Sequence, residues 1–293
     1  MLLSGLPGIA REVGPVAWCD PVTNCLAPGI AVIVGRDAED EYRQGALQGF
    51  LHTARERNST IIAIHISDEH CDLATSWYPL ATLVLRQYWC LPQSKASNVI
   101  TIPCGIKQGW NYTHDMRASN ERSCPWSFYG SFDGGVRSDA RLNMKREMDK
   151  VPKGCSLDPN DWDAEQPTGA SYTTKMCNTI IAPCPRGFGY ETFRFNEALE
   201  CGSIPIVDDG GLLFHNYMPG IREHVITTNT DWTHTTDGVP LAQHINRLLR
   251  DPITLERKRM ATMAWYHRYR RRLLHRIQDV IEGRVLADHE HLI

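Results

Sequence analysis

Residues Pro183–Gly211 read PCPRGFGYETFRFNEALECGSIPIVDDGG, and this stretch decides the predicted fold. An apolar run leads into a glycine-containing turn, which is followed by a helical segment, a Gly-Ser break, the strand IPIV and an acidic turn. This order is typical of a βαβ unit in a parallel sheet. Glycine at the turn lets the backbone approach a ligand closely. The helix that follows offers its unpaired N–H groups to an anion.

The same alternation of apolar strands and amphipathic helices extends on both sides of this stretch. Upstream, AVIVG at 31–35 and TIIAIHIS at 60–67 read as strands on either side of a helix over Glu39–Asn58. The irregular segment Gln108–Cys124 separates the two series, and a helical stripe occupies Thr254–Gly283. The pattern predicts two consecutive α/β units. We place the domains at residues 1–120 and 121–252, with a C-terminal helix at 253–293 packed back across them.

Composition describes an ordinary globular protein with no general affinity for nucleic acid. The 293 residues are 42% hydrophobic and 22% charged, with a formal net charge of −3. The C-terminal helix is an exception, because it carries a basic face interleaved with aromatic residues. Such a face could bind nucleic acid or an anionic membrane, or it could be the solvated side of a docked helix. The basic residues are Arg257, Lys258, Arg259, Arg268, Arg270, Arg271, Arg272 and Arg276.

No apolar run in the sequence is long enough to span a bilayer, and the first 18 residues make a poor signal peptide. We therefore expect a cytoplasmic protein, or one of the Golgi lumen if an anchor has been removed. The ten cysteines form no CxxC pair and several lie in apolar runs, so we expect free buried thiols rather than a disulfide framework. Two sequons, at Asn58 and Asn111, would matter only in a secretory compartment.

Three charged side chains around the glycine turn suggest a nucleotide site. Arg186 before the turn and Arg194 in the following helix could hold a diphosphate from two sides. Glu197 is three residues after Arg194 and so shares its helix face, where a carboxylate would suit the two hydroxyls of a ribose. The alternative is a tight βαβ turn with a surface ion pair and no ligand.

The run PRGFGYETFRFNEALECGSIPIV resembles the signature of the exostosin family of glycosyltransferases. WSFYGSFDGGVRSDAR, at 126–141, resembles the family's strand, loop and arginine segment. Upstream blocks resemble smaller exostosin-like enzymes, and the nearest relatives suggested are the exostosin-like xylosyltransferases of large algal viruses. The resemblance implies an α/β fold of the GT-B type, with two Rossmann-like domains facing across a cleft and the C-terminal helix crossing between them.

The resemblance also implies an activity, an inverting transfer of a sugar from a nucleotide sugar to a glycan hydroxyl. It favours UDP and, faintly, xylose, with the donor on the second domain and the acceptor on the first. No cofactor is required; a divalent metal is possible but not favoured, although Asp208-Asp209 could form a metal site instead of a turn cap. The expected partners are the nucleotide sugar and the glycan acceptor. The expected donor-site residues are Arg137, Arg186, Gly187, Gly189, Tyr190, Thr192, Arg194 and Glu197.

Inversion by direct displacement needs a general base for the acceptor hydroxyl. Acidic residues directly after the predicted strand TIIAIHIS would stand at the cleft edge, where partial burial can raise a carboxyl pKa. Asp68 is the first candidate, Glu69 the second and His70 the third. The alternative is a strand-terminal turn capped by Asp or Glu.

Two other functions fit the sequence. A non-catalytic sugar- or nucleotide-binding module could keep the fold without turnover. A nucleic-acid-binding protein could use the basic C-terminal helix, although the net negative charge argues against it.

Overall fold

The computed structural model describes residues 29–34, 41–66, 68, 70–91, 93–106, 117–129, 138–152, 154–155, 169–187, 191–208 and 218–282. These residues form two compact units. The first unit comprises the described residues up to Cys104 together with those from Arg270 onward, and the second comprises those within Gly105–Tyr269. The sequence analysis placed the boundary near residue 120, within the irregular segment that follows Gly105.

The first unit is built on a parallel four-stranded sheet in the order β1-β2-β3-β4. One face of the helix α1 packs on it through the apolar residues Leu47, Phe50, Leu51 and Ala54. Their spacing is the helical periodicity visible in the sequence. The elements are β1 (Gly29–Val34), α1 (Glu41–Glu56), β2 (Thr60–His65), β3 (Leu83–Gln87) and β4 (Val99–Ile102).

The second unit repeats the pattern, with a parallel sheet in the order β5-β6-β7-β8. The strands β6 and β7 are buried along their whole length, which explains their continuous apolar sequences. The elements are β5 (Cys124–Trp126), α2 (Ser138–Met148), α3 (Gly169–Cys177), β6 (Thr179–Pro183), α4 (Phe193–Glu200), β7 (Ile204–Asp208), α5 (Ile221–His224), β8 (Ile226–Thr228) and α6 (Leu241–Arg250).

Two elements of the second unit differ from the sequence prediction. The run WSFYGS at Trp126–Ser131 reads as a strand in the sequence, but the strand of the structure is Cys124–Trp126, and the chain leaves β6 after one further hydrogen bond, from Ser127 N to Ile181 O. The Asp-, Pro- and Gly-rich run Ser156–Ser171 reads as a loop, but α3 begins within it, at Gly169. With nine residues, α3 is too short for its amphipathic character to be recognised from periodicity alone.

The last helix, α7 (Pro252–Ile281), belongs to the second unit up to Tyr269 and to the first from Arg270. The helical periodicity of the sequence predicts that Met260 is part of the buried stripe and that Trp265 is not. In the structure Trp265 is buried, whereas Met260 is 51% exposed. The basic face is narrower than the sequence suggests. Arg259 is buried against Glu256, and the Lys258 ammonium donates to the Val225 carbonyl oxygen at 3.1 Å. None of the described helices has the length and apolar content needed to cross a membrane.

The expectation of free thiols is wrong for six cysteines, which form disulfide bonds. The pairs are Cys71–Cys90, Cys124–Cys155 and Cys177–Cys201. Each partner is 19 to 31 residues from the other in sequence, so the pairing follows from the fold and leaves no local motif. Cys104 and Cys184 are not disulfide-bonded and are buried, as expected for small apolar side chains.

Candidate functional site

The carboxyl end of the strand β6 leads into the start of the helix α4, where the sequence predicts an anion site. Thr192 precedes the helix in an extended conformation, and its side chain makes no capping hydrogen bond. Its Oγ1 is buried and has no hydrogen-bond partner among the described residues. Thr192 therefore does not cap the first turn of α4, and the N–H groups of that turn and the Thr192 hydroxyl can serve an anionic ligand.

Arg194, in the first turn of α4, is fixed by contacts at the end of β5. Its Nη2 donates to the Tyr129 carbonyl oxygen, and its guanidinium lies over the Phe128 ring at 4.3 Å from the centroid. The Arg194 Nε is buried without a hydrogen-bond partner among the described residues. The guanidinium is held in place while part of its donor capacity stays unused.

Arg141, on the helix α2, brings a second positive charge to the same place. Its Nη2 donates to the Arg186 carbonyl oxygen at 3.4 Å. Burial lowers the pKa of Arg141, and the charge of Arg194 lowers it further. Two cations held within electrostatic reach of each other raise the free energy of the unliganded protein, and an anion between them would relieve it. Sequence analysis missed Arg141, although it ends the same run, GGVRSDAR, from which Arg137 was chosen.

Arg186 and Gly187 follow β6, at the positions that the sequence analysis assigned to the turn. The Arg186 Nε lies 2.8 Å from the Asp208 Oδ2, and both side chains are buried. Part of the Arg186 charge is thus balanced by the carboxylate at the end of β7. Among the described residues, a Cβ on Gly187 would meet only the Thr192 Cγ2, at 3.8 Å, so the packing of those residues does not require glycine there.

Glu197 is 1% exposed. Burial raises the pKa of the Cys184 thiol, directly after β6, to about 12. The charge of Arg194 lowers this pKa and that of Glu197 raises it, so both charges act within electrostatic reach of the strand end. The Glu197 Oε2 accepts a hydrogen bond of 2.6 Å from the Tyr172 hydroxyl. Sequence analysis gave no role to Tyr172, which lies just after the predicted loop, in a stretch that was assigned no element.

Four expected site residues lie outside the described part of the chain. They are Glu69, Arg137, Gly189 and Tyr190. The second aspartate of the acidic pair, Asp209, lies outside it as well. The structure therefore brings together Arg186, Thr192, Arg194 and Glu197 around the β6–α4 connection, and adds Arg141 and Tyr172 to them.

Asp68 lies in the first unit, after β2, in surroundings that differ from those of an accessible base. It is 1% exposed and forms an ion pair with Arg86, which is 0% exposed. Its Oδ1 accepts the backbone N–H groups of Asp72 and Leu73, at 3.0 and 3.2 Å. Both carboxylate oxygens are thus occupied within the protein, as in the alternative interpretation of a capped turn. Asp68 as the general base stays a prediction, and these contacts argue against it.

Arg86 connects Asp68 to two further buried groups, which sequence analysis also missed. Its Nη1 donates to the Tyr78 hydroxyl and contacts the His65 Nδ1 at 3.1 Å. The Tyr78 hydroxyl in turn lies 2.6 Å from the same nitrogen. Burial and the charge of Arg86 lower the pKa of His65 to about 4, against a smaller opposing effect of Asp68. Burial raises the pKa of Tyr78 to about 12, although Arg86 acts in the other direction.

Among the described residues, no group of three or more His, Cys, Asp or Glu side chains is placed to hold a metal ion. The Asp208 carboxylate is paired with Arg186 instead.

Comparisons with known proteins bear on the fold. No family model matches the chain, and no curated protein matches it. Among solved structures, TarM matches with a TM-score of 0.52 and 9% identity, over 87% of this chain and 56% of TarM. The pneumococcal O-GlcNAc transferase GtfA, solved with UDP and GlcNAc, matches with a TM-score of 0.49 and 12% identity, over 90% and 58%. WaaG, a glycosyltransferase involved in lipopolysaccharide biosynthesis, matches with a TM-score of 0.37 and 11% identity, over 87% and 91%.

The likeness to TarM, at 9% identity, concerns the fold alone, and this chain spans 56% of the length of TarM. Together with the two parallel sheets, it confirms the predicted fold class. The chain is an α/β protein of the GT-B type, with two Rossmann-like units.

Proposed function

We propose that this protein is a glycosyltransferase that binds the diphosphate of a nucleotide sugar at the β6–α4 connection. The observation that carries the proposal is the pair of cations at that place, Arg141 and Arg194, beside the uncapped start of α4. In parallel α/β sheets, ligands bind beyond the carboxyl ends of the strands. A diphosphate offers negative charge to the two arginines, and it offers acceptor oxygens to the buried Arg194 Nε and the Thr192 hydroxyl.

The leaving diphosphate gains negative charge as the sugar–oxygen bond breaks. Prearranged positive groups that interact more strongly with that charge than with the ground state lower the barrier. Arg194 is already oriented by Phe128 and Tyr129, so it would need no rearrangement at the moment of reaction. Arg141 and Arg194 would then contribute to turnover as well as to donor affinity.

The finer features come from the resemblance to exostosin-like enzymes. They are UDP as the nucleotide, xylose as the sugar, a glycan hydroxyl as the acceptor and inversion at the anomeric carbon. Because Asp68 is buried and paired, a different residue is favoured as the general base, and Glu69 is the next candidate.

The disulfides support an oxidising compartment over the expected cytoplasm. Disulfides persist in secretory lumens and are rare in reducing compartments. Six of the ten cysteines are paired, with one disulfide bond in the first unit and two in the second. We therefore propose a Golgi-type lumen as the compartment, which was the second alternative from the sequence.

A UDP-release assay with a panel of UDP-sugars and glycan acceptors tests the activity. At saturating donor, we expect the turnover rate to be lower than that of the wild type in Arg141→Gln and equal to it in Arg146→Gln. Arg146 lies on the same helix, is exposed, and contacts only Asn143 among the hydrogen bonds described. Donor binding without sugar transfer to any acceptor would favour the non-catalytic module. Equal turnover in both variants would show that Arg141 does not act on the leaving group.

A further inference from the structure

The contact between Tyr172 and Glu197 is a buried hydrogen bond between a phenol and a carboxylate. Tyr172 is 8% exposed and Glu197 1%. Burial raises the pKa of Tyr172 well above its ordinary value, the charge of Arg194 lowers it, and the charge and hydrogen bond of Glu197 raise it again. The hydroxyl therefore keeps its proton over the physiological range. Tyr172 is the donor, and Glu197 is the acceptor.

A disulfide bond holds the two helices that carry this contact. Cys177 is the last residue of α3, and Cys201 directly follows α4. Tyr172 lies five residues before Cys177, and Glu197 lies four residues before Cys201. Each partner is thus about one helical turn from the covalent link. The cross-link restricts sliding of α3 along α4 and keeps the phenol against the carboxylate.

We infer that Tyr172 is a positioning residue, which orients the Glu197 carboxylate for the hydroxyl groups of the nucleotide's ribose. The inference rests on the proposed function. A carboxylate has about four acceptor positions, so it can serve the phenol and two hydroxyls together. A glutamate side chain has several rotamers, and fixing it before the ligand arrives removes part of the entropy cost of binding. Low local polarity strengthens each hydrogen bond to the buried charge.

Ligands with and without the ribose hydroxyls, UDP and 2′,3′-dideoxy-UDP, test this role of Tyr172. Calorimetry gives the ratio of the dissociation constants of 2′,3′-dideoxy-UDP and UDP for each variant. Hydrogen bonds to a charged group typically change affinity by about 10- to 150-fold. We expect a ratio of about tenfold or more in the wild type and a ratio near one in Glu197→Gln. Tyr172→Phe should give a clearly reduced ratio, because the carboxylate is present but no longer oriented.

A matched control is available on the same helix. The Tyr266 hydroxyl donates to the Glu200 Oε1 at 2.8 Å, so Tyr266→Phe also removes a partly buried phenol–carboxylate hydrogen bond from α4. It should leave the ratio at the wild-type value. A general loosening of α4 would weaken both ligands alike and would leave the ratio unchanged in either variant. Should Tyr172→Phe fold poorly, Cys177→Ser/Cys201→Ser gives a second measurement, for which we also expect a reduced ratio.

The outcomes separate the inference from the proposed function. The role of Tyr172 alone is overturned if the wild-type ratio is well above one, is lost in Glu197→Gln and is kept in Tyr172→Phe. A wild type that does not bind UDP overturns the proposed function and the inference with it. A wild type that binds UDP and dideoxy-UDP equally keeps the diphosphate site and overturns the ribose role of Glu197, and that of Tyr172 with it.

Discussion

Replacing Asp68 with asparagine separates a structural role from a catalytic one. Asparagine keeps an oxygen that can accept the N–H groups of Asp72 and Leu73, which are bonded at 3.0 and 3.2 Å in the wild type. It removes the negative charge that faces Arg86, a side chain with no exposed surface. The other described side-chain contacts of Arg86 are with Tyr78 and His65, and both of these groups are neutral.

The expected cost follows from this environment. Removing one partner of a buried ion pair leaves an uncompensated charge and costs about 3–5 kcal/mol. Globular proteins have only about 5–15 kcal/mol of stability, so the loss should be large in a urea titration. The turnover of the folded fraction should change little. Replacing Asp68 and Arg86 together by Leu and Met should cost less than the sum of the two single changes, because neither charge is then left unpaired.

The control is Asp72→Asn, a carboxylate change in the same loop on an exposed side chain. Surface substitutions of this kind usually stay within about 0.5 kcal/mol. The opposite result is equally clear. If Asp68→Asn unfolds at the wild-type urea concentration while its turnover falls by about 10²–10⁴-fold, Asp68 is the general base and the structural reasoning fails.

Three further predictions concern acid sensitivity, thiols and modification. His65 has a pKa of about 4 in the fold and 6.5 as its ordinary value. As the pH falls, His65 is therefore protonated in the unfolded chain before it is protonated in the fold, and the free energy of unfolding should fall by about 3 kcal/mol between pH 6.5 and pH 4. In urea titrations, the free energy of unfolding of His65→Gln should fall less over this range. If it falls as steeply as in the wild type, other groups cause the effect. Oxidised, denatured protein should expose at most four thiols to Ellman's reagent, since six of ten cysteines are paired; a count of ten would contradict the disulfides. Asn58 is exposed in a turn with φ of 57°, so chain secreted from eukaryotic cells should carry a glycan on the peptide containing it; peptide mapping after PNGase F would detect it, and an unmodified Asn58 would count against this prediction.

The fold was predictable because its signals are local. The strands β2, β6 and β7 are apolar runs of five or six residues, and α1 and α7 have helical stripes. Short elements were harder. The strand β5 has three residues and depends on its pairing with β6, while α3 has nine residues and carries few apolar side chains. Periodicity cannot identify elements of this length.

The site was predictable where it follows a motif and not where it depends on tertiary contacts. Arg194 and Thr192 could be placed from the glycine turn and the helix start. The pairing of Asp68 with Arg86 joins residues 18 apart through adjacent parallel strands, and no spacing rule predicts it. The disulfides escaped for the same reason. Arg141 could have been found, because it stands four residues after Arg137 in the same quoted stretch of sequence.

Binding of UDP and of uridine to the wild type and to Arg141→Gln tests the central claim most directly. The account predicts that the diphosphate contributes much of the affinity, so UDP should bind about tenfold or more tighter than uridine. That gap should narrow in Arg141→Gln and persist in Arg146→Gln. Equal binding of UDP and uridine by the wild type, or the same gap in all three proteins, would contradict a diphosphate site at the β6–α4 connection.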